Sequence, residues 1–251
     1  SVTILIERPH VEEPFEVSFN REKVSVASVP YSEYLQEGIA YIRLRSFTRN
    51  CSEDLKNAII ELKKEQELKG LILDLRGNPG GLLNESVNIV NLFVEKGEEV
   101  VSTKGKIKSW DKSYIAHNVP LDTEVPLAIL INSSSASASE IVSGSIQDLD
   151  RGIIIGQRSY GKGLVQQTRK LSYNSQLKLT VAKYYIPSGR CIQAIDYSNR
   201  NTDGSVGSIP DSLVSEYKTR NGRAVYDGGG ITPDVIISES KTGNLIRSLF
   251  E

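Results

Sequence analysis

The chain has 251 residues, and its 30 lysines and arginines nearly balance 31 aspartates and glutamates, giving a formal net charge of −1. This balance gives no electrostatic basis for binding nucleic acid or an anionic membrane surface. No apolar run approaches the roughly 18 residues that a membrane-spanning helix needs. The length suits one large α/β domain or two small ones.

Hydrophobic periodicity predicts that strands and helices alternate in the middle of the chain. In chain order, the sequence predicts strands at 2–7, 15–19 and 38–46, a helix at 53–65 with Ser52 as its N-cap, a buried strand at 71–75, a helix from 83 to 94, a hairpin at 98–116, a buried strand at 126–131, a helix at 137–149, a strand at 152–156, further strands within 164–186, and a short helix near 211–218. Strand–helix–strand alternation flanked by β-rich segments predicts an α/β fold.

The two cysteines, Cys51 and Cys191, lie far apart and outside any C-x-x-C or Cys/His cluster. They predict neither a disulfide framework nor a zinc site, and a single disulfide and two free thiols both stay open. The chain begins with Ser1 and contains no methionine. Its first residues are typical of a strand rather than of a signal segment, so we expect a fragment or a processed chain.

A serine-rich segment, NSSSASASEI at 132–141, follows the buried strand at 126–131 and begins the next helix. Ser137 and Glu140 form the S-x-x-E pattern of a capping box, and most serines in such a pattern only cap a helix. A helix start also offers free N–H groups, so the Ser137 hydroxyl could attack a carbonyl while the N–H of Ala138 binds the oxyanion. Local chemistry does not separate Ser137 from its serine neighbours Ser133, Ser134, Ser135 and Ser139.

A nucleophilic serine needs a base, and the usual base is histidine. This chain has two histidines. His10 lies between the first two predicted strands and His117 lies in a polar loop, so we favour a solvated or structural role for both. A Ser-His-Asp triad is therefore disfavoured, and the Ser-Lys variant of the same chemistry is the alternative.

Lys162 lies in the segment YGKGL, between two glycines. The helix at 137–149 spans about 18 Å at ~1.5 Å per residue, and a strand over 152–157 covers about 18–20 Å at ~3.3 Å per residue. If the strand runs back beside the helix, the following turn brings Lys162 near Ser137. Most lysines are simply solvated, but the glycines allow close backbone approach, and a desolvated, neutral amine could accept the serine proton.

The same lysine ends a near match to a phosphate-binding P-loop. Gly156 and Gly161 have the required spacing before Lys162, and the segment follows a predicted strand. Gly163, however, stands where a P-loop has the Ser or Thr that binds magnesium, and no clear helix follows. Nucleotide binding is therefore the weaker alternative.

Several motifs occur in a recognisable order and spacing. They are DLRGNPGG at 74–81, SASASE at 135–140, YGKGLVQQ at 160–167, YYIPSGR at 184–190 and DGGGITPD at 227–234. With them, the chain resembles the carboxyl-terminal processing (tail-specific) serine peptidases from about residue 1 to 237. The resemblance implies that Ser137 is the nucleophile and Lys162 its general base.

The resemblance also implies supporting residues for this dyad. Gln166, four residues after the lysine, falls on the family's supporting glutamine, although an extended segment would put it about 13 Å from Lys162, so contact requires a local bend. The oxyanion hole would use the N–H of Ala138 and one from Gly80 or Gly81. Asp148 matches an acidic position of the family, but it lies about 16 Å along the helix from Ser137, so we expect a structural role.

The implied architecture is an α/β, crotonase-like (ClpP/crotonase-type) spiral core with β-rich flanking segments. We expect a remnant of an upstream PDZ-like domain at 1–8, the serine peptidase core at 9–240 and a C-terminal tail at 241–251. Family members usually carry a PDZ domain before the core, and here residues 1–8 resemble only its last strand. Recognition of substrate tails by this chain is therefore open.

The implied function is a serine endopeptidase that cleaves polypeptides near their C-termini through an acyl-enzyme, with no cofactor or metal. The expected partners are unfolded or extended protein substrates. A homo-oligomer of this chain is also possible. We expect no nucleic acid partner and no stable insertion into a membrane. The resemblance implies a bacterial cell envelope location, periplasmic or membrane-associated on the outer side. The alternatives are a catalytically silent or gated core that binds proteins, and a nucleotide-binding protein that uses Gly156 to Lys162.

Overall fold

The computed structural model describes residues 1–22, 26–200 and 202–238. The helices in these ranges are α1 (Cys51–Glu65), α2 (Leu83–Asn91) and α3 (Ala138–Asp148), with 3-10 turns at Lys108–Trp110 and Asp211–Leu213. The strands are β1 (Val2–Ile6), β2 (Phe15–Phe19), β3 (Tyr31–Gln36), β4 (Ile39–Arg43), β5 (Gly70–Asp74), β6 (Glu99–Gly105), β7 (Lys112–Ile115), β8 (Leu127–Ile131), β9 (Ile153–Gly156), β10 (Leu164–Lys170), β11 (Gln176–Tyr185), β12 (Ile195–Arg200), β13 (Val206–Ser208), β14 (Glu216–Lys218), β15 (Ala224–Tyr226) and β16 (Val235–Ile236). The predicted tail at 241–251 lies outside the described residues.

The centre of the fold is a six-stranded sheet in the order β16-β9-β8-β5-β4-β3. All neighbouring strands are parallel except the β3–β4 pair. Parallel neighbours need crossovers, and α1 joins β4 to β5 while α3 joins β8 to β9. The predicted α/β class is confirmed. Because β5 and β8 lie in the middle of the sheet with both faces covered, their sequences are almost wholly apolar.

A second, antiparallel sheet has the order β10-β11-β6-β7, with β10 at one edge. Its β6–β7 pair confirms the hairpin predicted at 98–116. Helix α3 packs between β9 of the central sheet and β6 of this sheet. The helix predicted near 211–218 is mostly wrong: a single 3-10 turn is followed by β14, which pairs with β15. This polar segment has too few apolar residues at helical spacing to bury a helix face.

The N-terminal strand β1 pairs with β2 in a separate hairpin. Strand β1 lies in the predicted PDZ remnant and β2 in the predicted core, and the boundary between them stays a prediction. No helix in the described ranges is long and apolar enough to cross a membrane.

The start of α1 differs from its prediction. The N-cap is Asn50, with a left-handed φ of 69°, rather than Ser52. The Glu85 carboxylate accepts the N–H groups of Asn50 and Ser52, at 3.1 and 3.0 Å, together with the Ser52 hydroxyl at 2.7 Å. A side chain from α2 thus supplies the acceptors that a local cap would provide, which a local pattern cannot reveal.

Both cysteines are free thiols, which resolves the alternative left open by their spacing. Burial and the neighbouring Glu85 carboxylate raise the pKa of Cys51 to about 12. Burial also raises the pKa of Cys191. Neither thiol therefore has the lowered pKa of a reactive cysteine.

Candidate active site

Ser137 lies at the turn between a buried strand and a helix. Strand β8 ends at Ile131, and Ser137 is the N-cap of α3 with φ 58° and ψ −112°. This backbone conformation is costly for a residue with a side chain and persists only where the surroundings enforce it, often at functional sites. A serine on a strained strand-to-helix turn is the arrangement of a nucleophile elbow.

The neighbouring serines are bound elsewhere or face a different cavity. The Ser135 hydroxyl donates to the carbonyl of Leu75 at 2.8 Å, and the Ser139 hydroxyl donates to the carbonyl of Asn78 at 2.9 Å. Both of these serines are fully buried. Ser133 and Ser134 are exposed and line a larger neighbouring cavity. The structure therefore separates Ser137 from the serines that the sequence could not distinguish.

A buried carboxylate joins the serine turn to the lysine loop. The N–H groups of Ser137 and Lys162 both donate to Glu140 Oε2, each at 2.8 Å. Glu140 Oε1 accepts the Ser159 hydroxyl at 2.5 Å and the N–H of Gly161 at 2.6 Å. The capping-box contact predicted for Glu140 is present, but it is one of four. The same side chain closes the loop over residues 159–162 onto the start of α3.

Burial raises the pKa of the Glu140 carboxyl, and the four donated hydrogen bonds oppose that rise. All four partners donate through N–H or O–H groups, so both carboxyl oxygens act as acceptors. A buried charge is tolerated when such donors surround it.

The glycines that flank Lys162 allow a neighbouring chain segment to pack against the loop. A Cβ on Gly161 would lie 2.3 Å from the Ala194 side chain, and one on Gly163 would lie 2.8 Å from the backbone nitrogen of Gln193. The N–H of Gly163 donates to Gln193 Oε1 at 2.8 Å. The close approach predicted for this G-K-G turn therefore serves packing against residues 193–194.

Tyr184 holds the other side of the Lys162 peptide. Its hydroxyl donates to the backbone carbonyl of Lys162, while Glu140 accepts the N–H of the same residue. Tyr184 is 2% exposed, and burial together with the Glu140 charge raises the pKa of its phenol well above the usual range. The phenol therefore stays a hydrogen-bond donor at neutral pH.

Ser137 and Lys162 line the same cavity of about 320 Å³. Its other lining residues include Gly81, Ala138, Gln166 and the apolar side chains Leu82, Leu83, Ile141, Leu164 and Val165. Among the described residues, the Lys162 amine has no hydrogen-bond or ion-pair partner. A hydroxyl and an unpaired amine thus share one small cavity, whose lining also includes the polar side chains of Gln166, Lys178 and Tyr184.

The glycine turn at 77–81 packs directly on Ser137. A Cβ on Gly80 would lie 2.6 Å from the carbonyl oxygen of Ala136 and 2.8 Å from the nitrogen of Ala138. The N–H of Gly80 donates to Asn78 Oδ1 at 2.9 Å. Gly81 and Ala138 line the cavity with Ser137, and within the described ranges their N–H groups have no acceptor. Of the two candidate glycines, only Gly81 has a free N–H group.

Gln166 lies on β10, where a register shift falls between Val165 and Gln166. This register shift lies beyond Gly163, where the bend was expected, and the contact between Gln166 and Lys162 stays a prediction. Gln166 lines the small cavity together with Lys162, and both also line a neighbouring cavity of about 970 Å³. The two cavities therefore meet at Lys162, Leu164 and Gln166.

Asp74 and Asp148 both have structural partners. Asp74 binds the Arg76 guanidinium at 2.7 Å and the Tyr41 hydroxyl at 2.5 Å, at the start of the glycine turn. At the far end of α3, Asp148 forms a buried ion pair with Arg190 at 2.8 Å. The structural role expected for Asp148 fits this geometry.

The alternative chemistries have little support in the geometry. His10 and His117 are exposed, and neither lines the two cavities. After Lys162 the chain enters strand β10 rather than a helix, so the helix N-terminus that a P-loop provides for phosphate is missing. Within the described ranges, no group of three or more His, Cys, Asp or Glu side chains is arranged to hold a metal ion.

Sequence reasoning missed three contributors to this site: the second role of Glu140, the Tyr184 hydroxyl and Ser159. The S-x-x-E pattern pointed to Glu140, but only as a local cap. Tyr184 lies in the quoted motif YYIPSGR, yet nothing local marks its hydroxyl as a partner of a residue 22 positions earlier. These contacts depend on tertiary closure of the loop.

Comparisons with known proteins find one matching family and several similar proteins. The profile of peptidase family S41 matches residues 38–199. A carboxy-terminal-processing protease of Bartonella bacilliformis is 42% identical over 218 residues, covering 86% of this chain and 47% of that protein. A probable CtpA-like serine protease of Staphylococcus aureus is 36% identical over 192 residues, covering 76% of this chain and 38% of that protein. The solved photosystem II D1 C-terminal processing protease matches with a TM-score of 0.63 and 28% identity, over 90% of this chain and 52% of that chain.

The α/β fold and the matched region, which contains Ser137 and Lys162, place the chain among the serine peptidases. More narrowly, the chain belongs to peptidase family S41, and the resemblance to carboxyl-terminal processing proteases is confirmed. The chain spans about half or less of the length of these relatives, 47% and 38% of the two curated proteins.

Proposed function

We propose that this chain is the catalytic part of a serine endopeptidase that cleaves polypeptides near their C-termini. Ser137 is the nucleophile and Lys162 is its general base. The observation that carries this proposal is their shared placement: both residues line one cavity, and their backbone N–H groups donate to the same Glu140 oxygen. The names of the curated relatives, carboxy-terminal-processing and CtpA-like serine protease, support the reaction class.

The reaction begins when Ser137 Oγ attacks the carbonyl carbon of the scissile peptide and its proton passes to the Lys162 amine, which acts as the base. The tetrahedral intermediate collapses, the C–N bond breaks, and Lys162 gives the proton to the leaving amine. Water then attacks the Ser137 ester with Lys162 again accepting a proton. Cleavage of the ester returns that proton to Ser137 Oγ and releases the new carboxyl terminus.

The developing oxyanion is stabilised by the N–H groups of Gly81 and Ala138. Both residues line the cavity beside Ser137, and preorganised donors of this kind typically contribute about 10²–10³ in rate. Gly80 does not donate to the oxyanion, because its own N–H donates to Asn78 Oδ1. Its lack of a side chain lets the glycine turn pack against Ala136 and Ala138. Gln166 is proposed to bind the Lys162 amine from the edge of β10 and so to keep it turned toward Ser137.

Extended or unfolded polypeptides are the proposed substrates. Strand β10 is an edge strand that begins two residues after Lys162, so a substrate backbone can pair with it as an added strand. Leu164 and Gln166 on this strand line both cavities. A substrate lying along β10 therefore passes from the large cavity across Ser137 and places one side chain in the small cavity.

Other aspects of the proposal rest on the family. We propose a bacterial cell envelope location, because the curated relatives are bacterial carboxy-terminal-processing proteases. The second candidate is a catalytically silent core that only binds proteins. It remains a candidate because the match covers 47% of the Bartonella protein, so parts needed for activity in that relative can lie outside the matched region.

The test is cleavage of an unfolded protein, followed on a gel. Wild type should cleave it, and Ser137→Ala and Lys162→Ala should each remove cleavage while leaving the thermal unfolding transition in place. Lys64→Ala and Ser172→Ala, at exposed positions outside both cavities, are the matched controls and should cleave normally. Near-native turnover by Lys162→Ala would contradict the dyad, and an inactive wild type would favour the silent core.

A further inference from the structure

We propose that Glu140 is the positioning residue that sets the placement of the serine relative to the lysine in this site. The inference rests on the proposed function of Ser137 and Lys162 and adds a third residue to it. Glu140 is fully buried, so it does not touch a substrate. It acts through the backbone of the two dyad residues.

The hydrogen bonds divide evenly between the two carboxylate oxygens. Oε2 accepts the N–H groups of both dyad residues, Ser137 and Lys162, at 2.8 Å each. Oε1 accepts from Ser159 and Gly161, which precede the lysine in the same loop. One oxygen therefore joins the helix start to the lysine, and the other fastens the loop that carries it.

The chemistry of the side chain is specific to a carboxylate. A glutamine in its place has one oxygen, which can serve only one of the two pairs of donors. Its NH2 group would face the other pair, which in either orientation contains a backbone N–H that cannot accept a hydrogen bond. Whichever way the amide turns, either the link between Ser137 and Lys162 or the fastening of the loop is lost.

The loop has other anchors, so the loss of Glu140 contacts should displace it rather than unfold it. The N–H of Tyr160 donates to the Ser135 carbonyl at 3.0 Å, and the N–H of Ala194 donates to the Gly161 carbonyl at 2.9 Å. The N–H of Ile231 donates to the Ser159 hydroxyl at 2.7 Å. A displacement of about 1 Å can cost on the order of 10²-fold in rate.

Glu140→Gln tests the proposal, with Glu85→Gln as the matched control. Glu85 is also buried and also accepts backbone and hydroxyl donors at a helix start, that of α1, outside both cavities. Glu140→Gln should lower kcat about 100-fold with little change in KM, measured where both variants remain folded. Glu85→Gln should lower the unfolding temperature without lowering kcat. Equal kcat in wild type and Glu140→Gln would overturn the proposal.

A second measurement does not depend on turnover. Amide hydrogen exchange in the Ser137→Ala background should be faster at residues 137 and 162 when Glu140 is also changed to Gln, and unchanged there with Glu85→Gln. Unchanged exchange at both positions would overturn the role of Glu140, even if the wild type proved inactive. If Glu140→Gln does not fold, Glu140→Asp is the alternative variant, because it keeps the carboxylate but shortens the side chain by one CH2 group. It should show the same faster exchange at residues 137 and 162 and a lower kcat. Wild-type values of both quantities in Glu140→Asp would overturn the proposal.

Discussion

Ser137 and Lys162 donate their backbone N–H groups to one oxygen atom, Glu140 Oε2, at 2.8 Å each. The two nitrogens are therefore no farther apart than twice that distance, although 24 residues separate Ser137 from Lys162 in the chain. Helix α3 and strand β9 carry the chain away from Ser137 and back again. The shared acceptor then joins the loop to the helix start through hydrogen bonds to a single side chain.

Gly80 provides a test of how closely the glycine turn packs on Ser137. An alanine there would place its Cβ 2.6 Å from the Ala136 carbonyl oxygen and would force the turn off the serine. Gly80→Ala should therefore reduce turnover at least 10-fold, because both the Ser137 turn and the oxyanion donors move.

Gly77 is the matched control for this change. It lies in the same turn and also has a positive φ, 73° against 94° at Gly80, but a Cβ on it would meet no atom within 4 Å. Gly77→Ala should cost about 1–2 kcal/mol of stability from backbone strain and keep wild-type turnover. Equal turnover in the two variants, measured on folded protein, would show that contact between Gly80 and the serine turn is unimportant.

Tyr184→Phe should lower both turnover and stability. The change removes the hydroxyl that donates to the Lys162 carbonyl and leaves that acceptor unpaired, a loss of about 1–3 kcal/mol. Urea unfolding measures the stability, and cleavage of an unfolded protein measures the turnover. Tyr34→Phe removes a hydroxyl that donates to the Leu62 carbonyl at 3.0 Å, far from both cavities, and should lower stability alone. If both variants retained full turnover, the Tyr184 anchor would be dispensable.

The lowered pKa of the Asp74 carboxyl predicts that this residue contributes to stability in a pH-dependent way. Burial alone would raise the pKa of Asp74, but hydrogen bonds from Arg76 and Tyr41 outweigh it and lower the pKa. The carboxylate therefore stabilises the fold above its unfolded pKa of about 3.9, and that contribution is lost as the pH falls through the lower folded value. Asp74→Asn should lower the free energy of unfolding at pH 7 by about 1–3 kcal/mol, measured by urea denaturation. The difference from wild type should shrink toward pH 3; a constant difference would contradict this assignment.

The proximity of Ser137 and Lys162 could be predicted because it follows from regular elements. Spacing placed one helix and one strand between Ser137 and Lys162, and each element has a fixed rise per residue. The same reasoning located β5, β8 and β9 from their apolar runs. These features depend on periodicity, which a single sequence contains.

The remaining features depend on contacts between distant segments. The N-cap of α1 is Asn50 because Glu85 reaches it from α2. The Gly80 N–H is unavailable to an oxyanion because Asn78 accepts it. No spacing rule predicts which of several polar groups a buried carboxylate or amide will bind once the chain has closed.

The direct test of Ser137 as a base-activated nucleophile is its reaction with a fluorophosphonate, followed by mass spectrometry of the intact protein and its peptides. The serine oxygen displaces fluoride at phosphorus only when a base accepts its proton. Wild type should gain one adduct, located on Ser137, and Lys162→Ala should gain none in the same time. An adduct on another serine, or equal labelling of Ser137 in the two proteins, would contradict the Ser137–Lys162 dyad.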